Sequence, residues 1–123
     1  MFSTFVSEFI SPEWRRRSDN SPKIWLNSTY RVELIKKGLD KAGSLNGLGR
    51  ELGYKSRVHP GWSVLQILLG RQAFPADRLR KLADYLGHPY EEVLQHQTLA
   101  KKVTPENTRD ALIKYNLWCY LPK

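Results

Sequence analysis

The chain has 123 residues, room for one domain with extensions rather than two separate cores. Hydrophobic residues at 41% and charged residues at 26% argue against wholesale disorder, no apolar run approaches the roughly 20 residues of a membrane span, and a single cysteine excludes an internal disulfide and a cysteine-rich zinc site. Twenty Lys plus Arg against 12 Asp plus Glu leave a formal net charge of +8, which makes nucleic acid the first partner class to consider, with a merely well-solvated basic surface as the alternative.

The opening MFSTFVSEFI lacks the basic leader and small-residue cleavage site of a signal peptide, so a cytoplasmic location and no membrane association are expected. Residues 1–27 hold short apolar pieces, FVSEFI and KIWLN, around a polar stretch punctuated by Pro12 and Pro22, and read as an extension packing on the core. Arg15, Arg16 and Arg17 could follow a phosphate backbone, but three adjacent arginines more often form a solvated loop.

From Tyr30 on, Val32, Ile35, Leu39 and Ala42 recur at helical spacing and Gly43 suits a C-terminal cap, which predicts a first helix. Ser44 can cap a second helix, SLNGLGREL, that stops at Gly53. Gly47 and Gly49 each cost this helix about 1 kcal/mol of propensity, so a close packing approach must offset the loss. YKSRVHPG breaks the pattern, and WSVLQILL, ending at Gly70, predicts a third helix. Leu79, Leu82, Ala83 and Leu86 form one stripe of a fourth helix ending at Gly87. A fifth begins near Pro89 with Glu91 and Glu92 in its first turn and is expected to run into QHQTLAKK. Thr104 and Pro105 open a C-terminal helix, and the apolar run LWCYLP is compatible with a short strand pairing with KIWLN or FVSEFI.

The segment Leu48-Gly49-Arg50-Glu51-Leu52-Gly53, the aliphatics Val64 and Ile67, and Gly70 followed by Pro75 and LRKLADYLGHPYEEVL resemble the helix-turn-helix domain of the phage-repressor and Cro superfamily over residues 28–97. The resemblance implies a five-helix helix-turn-helix core, and with the N- and C-terminal extensions read from the residues (1–27 and 98–123) and a small β pairing between the termini the expected fold is mainly α. The resemblance also implies duplex-DNA binding and a role in transcription regulation, with Gly61, Trp62, Leu65 and Gln66 facing the bases. This chain departs from the family pattern in two ways. Its turn, Tyr54 to Gly61, is about five residues longer, and Leu68 and Leu69 stand where the family is usually polar and solvated.

The expected DNA-contact set is Lys55, Ser56, Arg57 and His59 in the long turn, Trp62, Ser63 and Gln66 on the third helix, and Arg71 and Gln72 after it. Lys55 and Arg57 suit phosphate contacts that position without reading sequence, Arg57 could alternatively reach a guanine edge, and Gln66 has the geometry to pair with adenine. Arg78, Arg80 and Lys81 could extend this rim, or form an ordinary helix exterior in which Asp77 pairs with Lys81. The apolar stripe Trp62, Leu65 and Leu69 is either covered by the segments carrying Trp14, Trp25 and Trp118 or serves as a partner surface, a homodimer contact included.

Other chemistry has little support. His59, His88 and His96 lack the spacing of a zinc site, Cys119 between Trp118 and Tyr120 reads as a buried small hydrophobe, and there is neither a phosphate loop nor a catalytic carboxylate pair. No enzyme activity, cofactor or metal is therefore expected. RNA binding is a third reading, from the charge and from Trp14, Trp25, Tyr30 and Tyr54, which could stack on unpaired bases, although such aromatics more often pack in cores.

Overall fold

The computed structural model describes residues 22–120. FVSEFI, Trp14 and the Arg15, Arg16 and Arg17 run lie outside the described residues. The rest is mainly helical, with a two-stranded antiparallel sheet: β1 (Lys23–Ile24), α1 (Ser28–Ala42), α2 (Leu45–Glu51), α3 (Trp62–Leu68), β2 (Phe74–Pro75), α4 (Ala76–Leu86), α5 (Tyr90–Leu94) and α6 (Pro105–Lys114). Short 3-10 turns cover Ala100–Lys102 and Trp118–Tyr120.

The helix ends follow local chemistry. Asn27 Oδ1 accepts from the Tyr30 amide at the start of α1, and Gly43, at φ 88°, closes it in the left-handed conformation that glycine adopts without penalty. Ser44 Oγ accepts from the Gly47 amide at the start of α2. In α6, Thr104 and Asn107 exchange side-chain-to-backbone hydrogen bonds as a capping box, with Pro105 in the first turn.

The helices enclose one core. Val32 and Ile35 of α1 meet Leu48 and Leu52 around α2, Val64, Ile67 and Leu68 of α3, Leu79 and Leu82 of α4, and Leu112 of α6, all fully buried. Burying a leucine or isoleucine side chain contributes roughly 1.5–3 kcal/mol, so this shared apolar cluster is the main term holding the short helices α2, α3 and α5 in place. Leu68, which stands where the phage-repressor pattern is usually polar and solvated, faces inward: Val64, Ile67 and Leu68 stand three and four residues apart and form the buried face of α3.

Three sequence expectations are corrected. Among the described residues the small sheet pairs KIWLN with the connector GRQAFP, Lys23 with Pro75 and Ile24 with Phe74, and Trp118–Tyr120 of the C-terminal run form a 3-10 turn, while a pairing with FVSEFI lies outside the described residues. The fifth helix stops at Leu94 instead of running on, because the next residues bond to the incoming chain. His96 O accepts from the Asn27 amide, the Thr98 amide donates to Trp25 O, and Leu26 bridges Gln97. Cys119 is exposed, since the turn buries Leu117 and packs Tyr120 against the core while rotating the cysteine outward. The C-terminal helix is part of the same core, where Ala111 and Leu112 are buried and the Tyr115 hydroxyl donates to Glu33 of α1.

Candidate nucleic-acid interface

The connection from α2 to α3, residues 52–61, is anchored at both ends and projects in the middle. At its start the Tyr54 amide donates to Gly49 O, and the Arg78 guanidinium lies over the Tyr54 ring at 4.7 Å while donating to Leu52 O at the end of α2. At its end the backbone of Pro60 and Gly61 crosses α2 at very short range. A Cβ built on Gly49 would lie 2.1 Å from Pro60 O, and one on Gly61 would lie 2.5 Å from Leu45 O. Asn46 Oδ1 accepts from the Gly61 amide at 3.0 Å. This is the close approach that offsets the poor propensity of Gly49, and the neighbour is a backbone turn rather than a helix, whereas a Cβ on Gly47 would meet Ala42 and Ser44 instead.

Between these anchors Lys55, Ser56, Arg57, Val58 and His59 are exposed. Ser56 has a structural duty as well, because its hydroxyl accepts from the His59 amide, and His59 O in turn accepts from the Trp62 amide that begins α3. The loop thus presents Lys55 and Arg57 from a hydrogen-bonded frame. Trp62 is 54% exposed at the first turn of α3, and Ser63 and Gln66 are half-buried. Beyond α3 the chain leaves through a Schellman motif: Gly70, at φ 77°, donates to Ile67 O, and the Arg71 amide donates to Gln66 O. Arg71 and Gln72 follow this reversal and are exposed. The nine expected contact residues therefore fall in three groups around α3: the loop tip, the first turns of the helix, and the exit.

Other expectations for this surface need correction. Gly61 cannot face a base, since it is buried against Leu45 and Asn46. Leu65 and Leu69 are half-buried against the core, so Trp62 is the exposed member of the apolar stripe of α3. Trp118 is 65% exposed and so does not end in a covering contact over α3, while Trp25 is half-buried beside Thr98. Arg78 is not a free rim cation: it is committed to Leu52 O and Tyr54, and it, rather than Lys81, is the nearest cation to Asp77, at 3.9 Å. Arg80 lies over the Tyr90 ring.

The exposed cations on this side have no ion-pair partner among the described residues. Among the described residues the ion pairs join Lys36 to Asp40, Lys37 to Glu33 and Arg78 to Asp77, and Lys55, Arg57 and Arg71 take part in none of them. Burial pushes the Tyr54 phenol above its ordinary value, with Arg78 opposing the shift.

Two cations that sequence reasoning passed over lie near the exit of α3. Arg109 of α6, far away in sequence, lines the same pocket as Arg71. Arg31 of α1 is 1% exposed, and burial pulls its guanidinium down to about 10. A signal for its burial was present, for Ser28, Arg31, Ile35 and Gly38 stand at three- and four-residue steps on the inner face of α1.

No helix among the described residues is long and apolar enough to cross a membrane, and no group of three His, Cys, Asp or Glu side chains among them could hold a metal ion. No family model, curated protein or solved structure matches the chain.

Proposed function

We propose that the protein binds duplex DNA, chiefly through phosphates, with residues 54–72 as the contact surface and a role in transcription regulation as the extension that the phage-repressor resemblance suggests. One observation carries the reading. Lys55 and Arg57 on one side of α3 and Arg71 on the other are exposed cations with no ion-pair partner among the described residues, on frames held by backbone hydrogen bonds. Such cations release counterions when they meet a phosphate backbone. Gln66 is the residue for base preference, and Trp62 supplies apolar contact, to a thymine methyl for instance. Binding to a palindromic site would require a homodimer.

A second reading rests on a different observation. Trp62 at 54% and Val58 at 69% exposure are large apolar side chains on the otherwise basic segment, the residue type of a protein-docking anchor. The two separate in one experiment: fluorescence anisotropy with mixed-sequence duplex DNA and matched single-stranded RNA across a salt series. Salt-sensitive binding with a duplex preference supports the first reading, a single-strand preference moves the function to RNA, and no binding at low salt leaves docking through Trp62.

A further inference from the structure

Arg31 poses a problem that its neighbours do not solve. Its guanidinium is buried, yet its hydrogen bonds go only to neutral oxygens: Nη1 donates to Leu26 O and Ser28 Oγ, both at 3.3 Å, and Nη2 to Thr108 Oγ1 at 2.9 Å and Leu68 O at 3.5 Å. Nε has no partner, and no carboxylate among the described residues pairs with the group. A buried charge ordinarily has a counter-charge, because leaving water is costly without one.

Directly behind Thr108 lies a pocket of 210 Å³ between the end of α3 and the start of α6. Its inner wall includes Thr108 and Gly70, and a Cβ on Gly70 would stand 3.3 Å from Arg31 Nη2, so the buried cation abuts the cavity at these two residues. Arg71, Arg109 and Thr104 complete the polar lining, while Leu69, Val103 and Leu112 give it apolar walls. No acidic residue lines it. At about 30 Å³ per water the volume matches roughly seven waters, less than the 300 Å³ or more of typical drug-sized sites.

We propose that this pocket is a binding site for a small organic anion, a carboxylate or phosphate head on a short apolar body, with the head held by Arg71, Arg109 and the Thr108 hydroxyl in front of Arg31. The low dielectric around Arg31 strengthens its pull on an anion at the wall, and the apolar walls exclude an acid that lacks a hydrophobic part. Gly70 serves the site through its missing side chain: a Cβ there would come within 3.0 Å of both Thr108 Oγ1 and Val103 Cγ1 and narrow the cavity. The site shares Arg71 with the proposed nucleic-acid surface, but none of its logic requires that the chain touch DNA.

The test is amide-resolved NMR titration of the full chain with benzoate, phenyl phosphate, neutral benzamide and inorganic phosphate. Benzoate or phenyl phosphate should shift the amides of Gly70, Arg71, Thr104 and Thr108 with saturable, millimolar-range affinity, and benzamide and inorganic phosphate should bind at least about tenfold more weakly. Arg109→Ala, at an exposed position, should weaken the aromatic anion about tenfold with the rest of the spectrum unchanged, and Thr108→Val should weaken it from the inner wall while also shifting the amides around Arg31, whose hydrogen bond it removes. The proposal is overturned if benzamide binds as well as benzoate, if inorganic phosphate matches the aromatic anions, if shifts scatter over all basic residues, or if Arg109→Ala leaves affinity unchanged.

Discussion

Gly49→Ala tests how α3 is positioned. The added methyl would sit 2.1 Å from Pro60 O, 2.4 Å from Pro60 C and 2.8 Å from Gly61 N, where ordinary contact begins near 3.4 Å, so the crossing backbone must retreat by more than 1 Å. Retreat pulls the Gly61 amide from Asn46 Oδ1 and moves the residue that leads into α3. Overpacking of this kind costs about 1–3 kcal/mol and the hydrogen bond about 1 kcal/mol, against a helix-propensity gain near 1 kcal/mol. The net expectation is a loss of about 2 kcal/mol, a fall in Tm on the order of 10 °C for a domain of this size. Gly47→Ala in the same helix is the control. It carries the same propensity gain, but its methyl comes no nearer than 3.0 Å to Ala42 O and Ser44 Oγ, with Ala42 Cβ at 3.7 Å, so the difference between the two variants cancels propensity. Urea denaturation of both, with anisotropy on duplex DNA for each folded variant, gives the answer. If the two melt within about 0.5 kcal/mol of each other, the Pro60–Gly61 crossing does not hold α3 and the reasoning fails.

The remaining predictions concern charge, burial and reactivity. Lys55→Ala and Arg71→Ala should each lower duplex affinity to a similar degree on all sequences and reduce the salt slope by about one, as a log–log salt series reads directly; slopes equal to that of the parent protein would remove these residues from the interface. Thr108→Val keeps the shape but takes from Arg31 its shortest hydrogen bond, and should cost about 1.5–3 kcal/mol in urea denaturation, the range for bonds to a charged group. Burial raises the Tyr54 phenol above 10.0, so its contribution to stability is complete below pH 10 and is lost as pH rises through the folded-state value; Tyr54→Phe should therefore show a shallower loss of stability above pH 10 than the parent. Cys119, being exposed, should react with a thiol-specific reagent in the native protein about as fast as in the urea-unfolded chain, whereas strong native protection would return it to the core.

Features settled within a turn or two of chain were legible in the sequence. Ser44 and Thr104 cap because their hydroxyls need only reach an amide three residues on, and Gly43, Gly53, Gly70 and Gly87 all sit at positive φ where the helices were expected to stop. The same local logic located the exposed loop tip, because Pro60-Gly61 and the polar run before it cannot continue a helix. The aliphatic steps of α1 and α4 identified their buried faces for the same reason of period.

What depended on distant partners was decided only by the tertiary structure. Phe74–Pro75 became a strand because β1 runs beside it, and α5 ended early because Trp25 and Asn27 offered backbone bonds to residues 96–98. A seven-residue helix such as α3 carries too few periods to fix its orientation, so Leu68 turned inward under core packing while Trp62 stayed out. Arg78 looked like surface charge until Tyr54 and Leu52 O were brought beneath it. The pocket in front of Arg31 was the least legible feature of all: its walls come from residues 69–71 and 103–112, and only the packing of α6 against α1 brings Arg71, Arg109 and a buried guanidinium to one place. Local hydrogen-bond geometry is written into neighbouring residues, while burial and the meeting of charges are properties of surfaces that do not exist until the chain has folded.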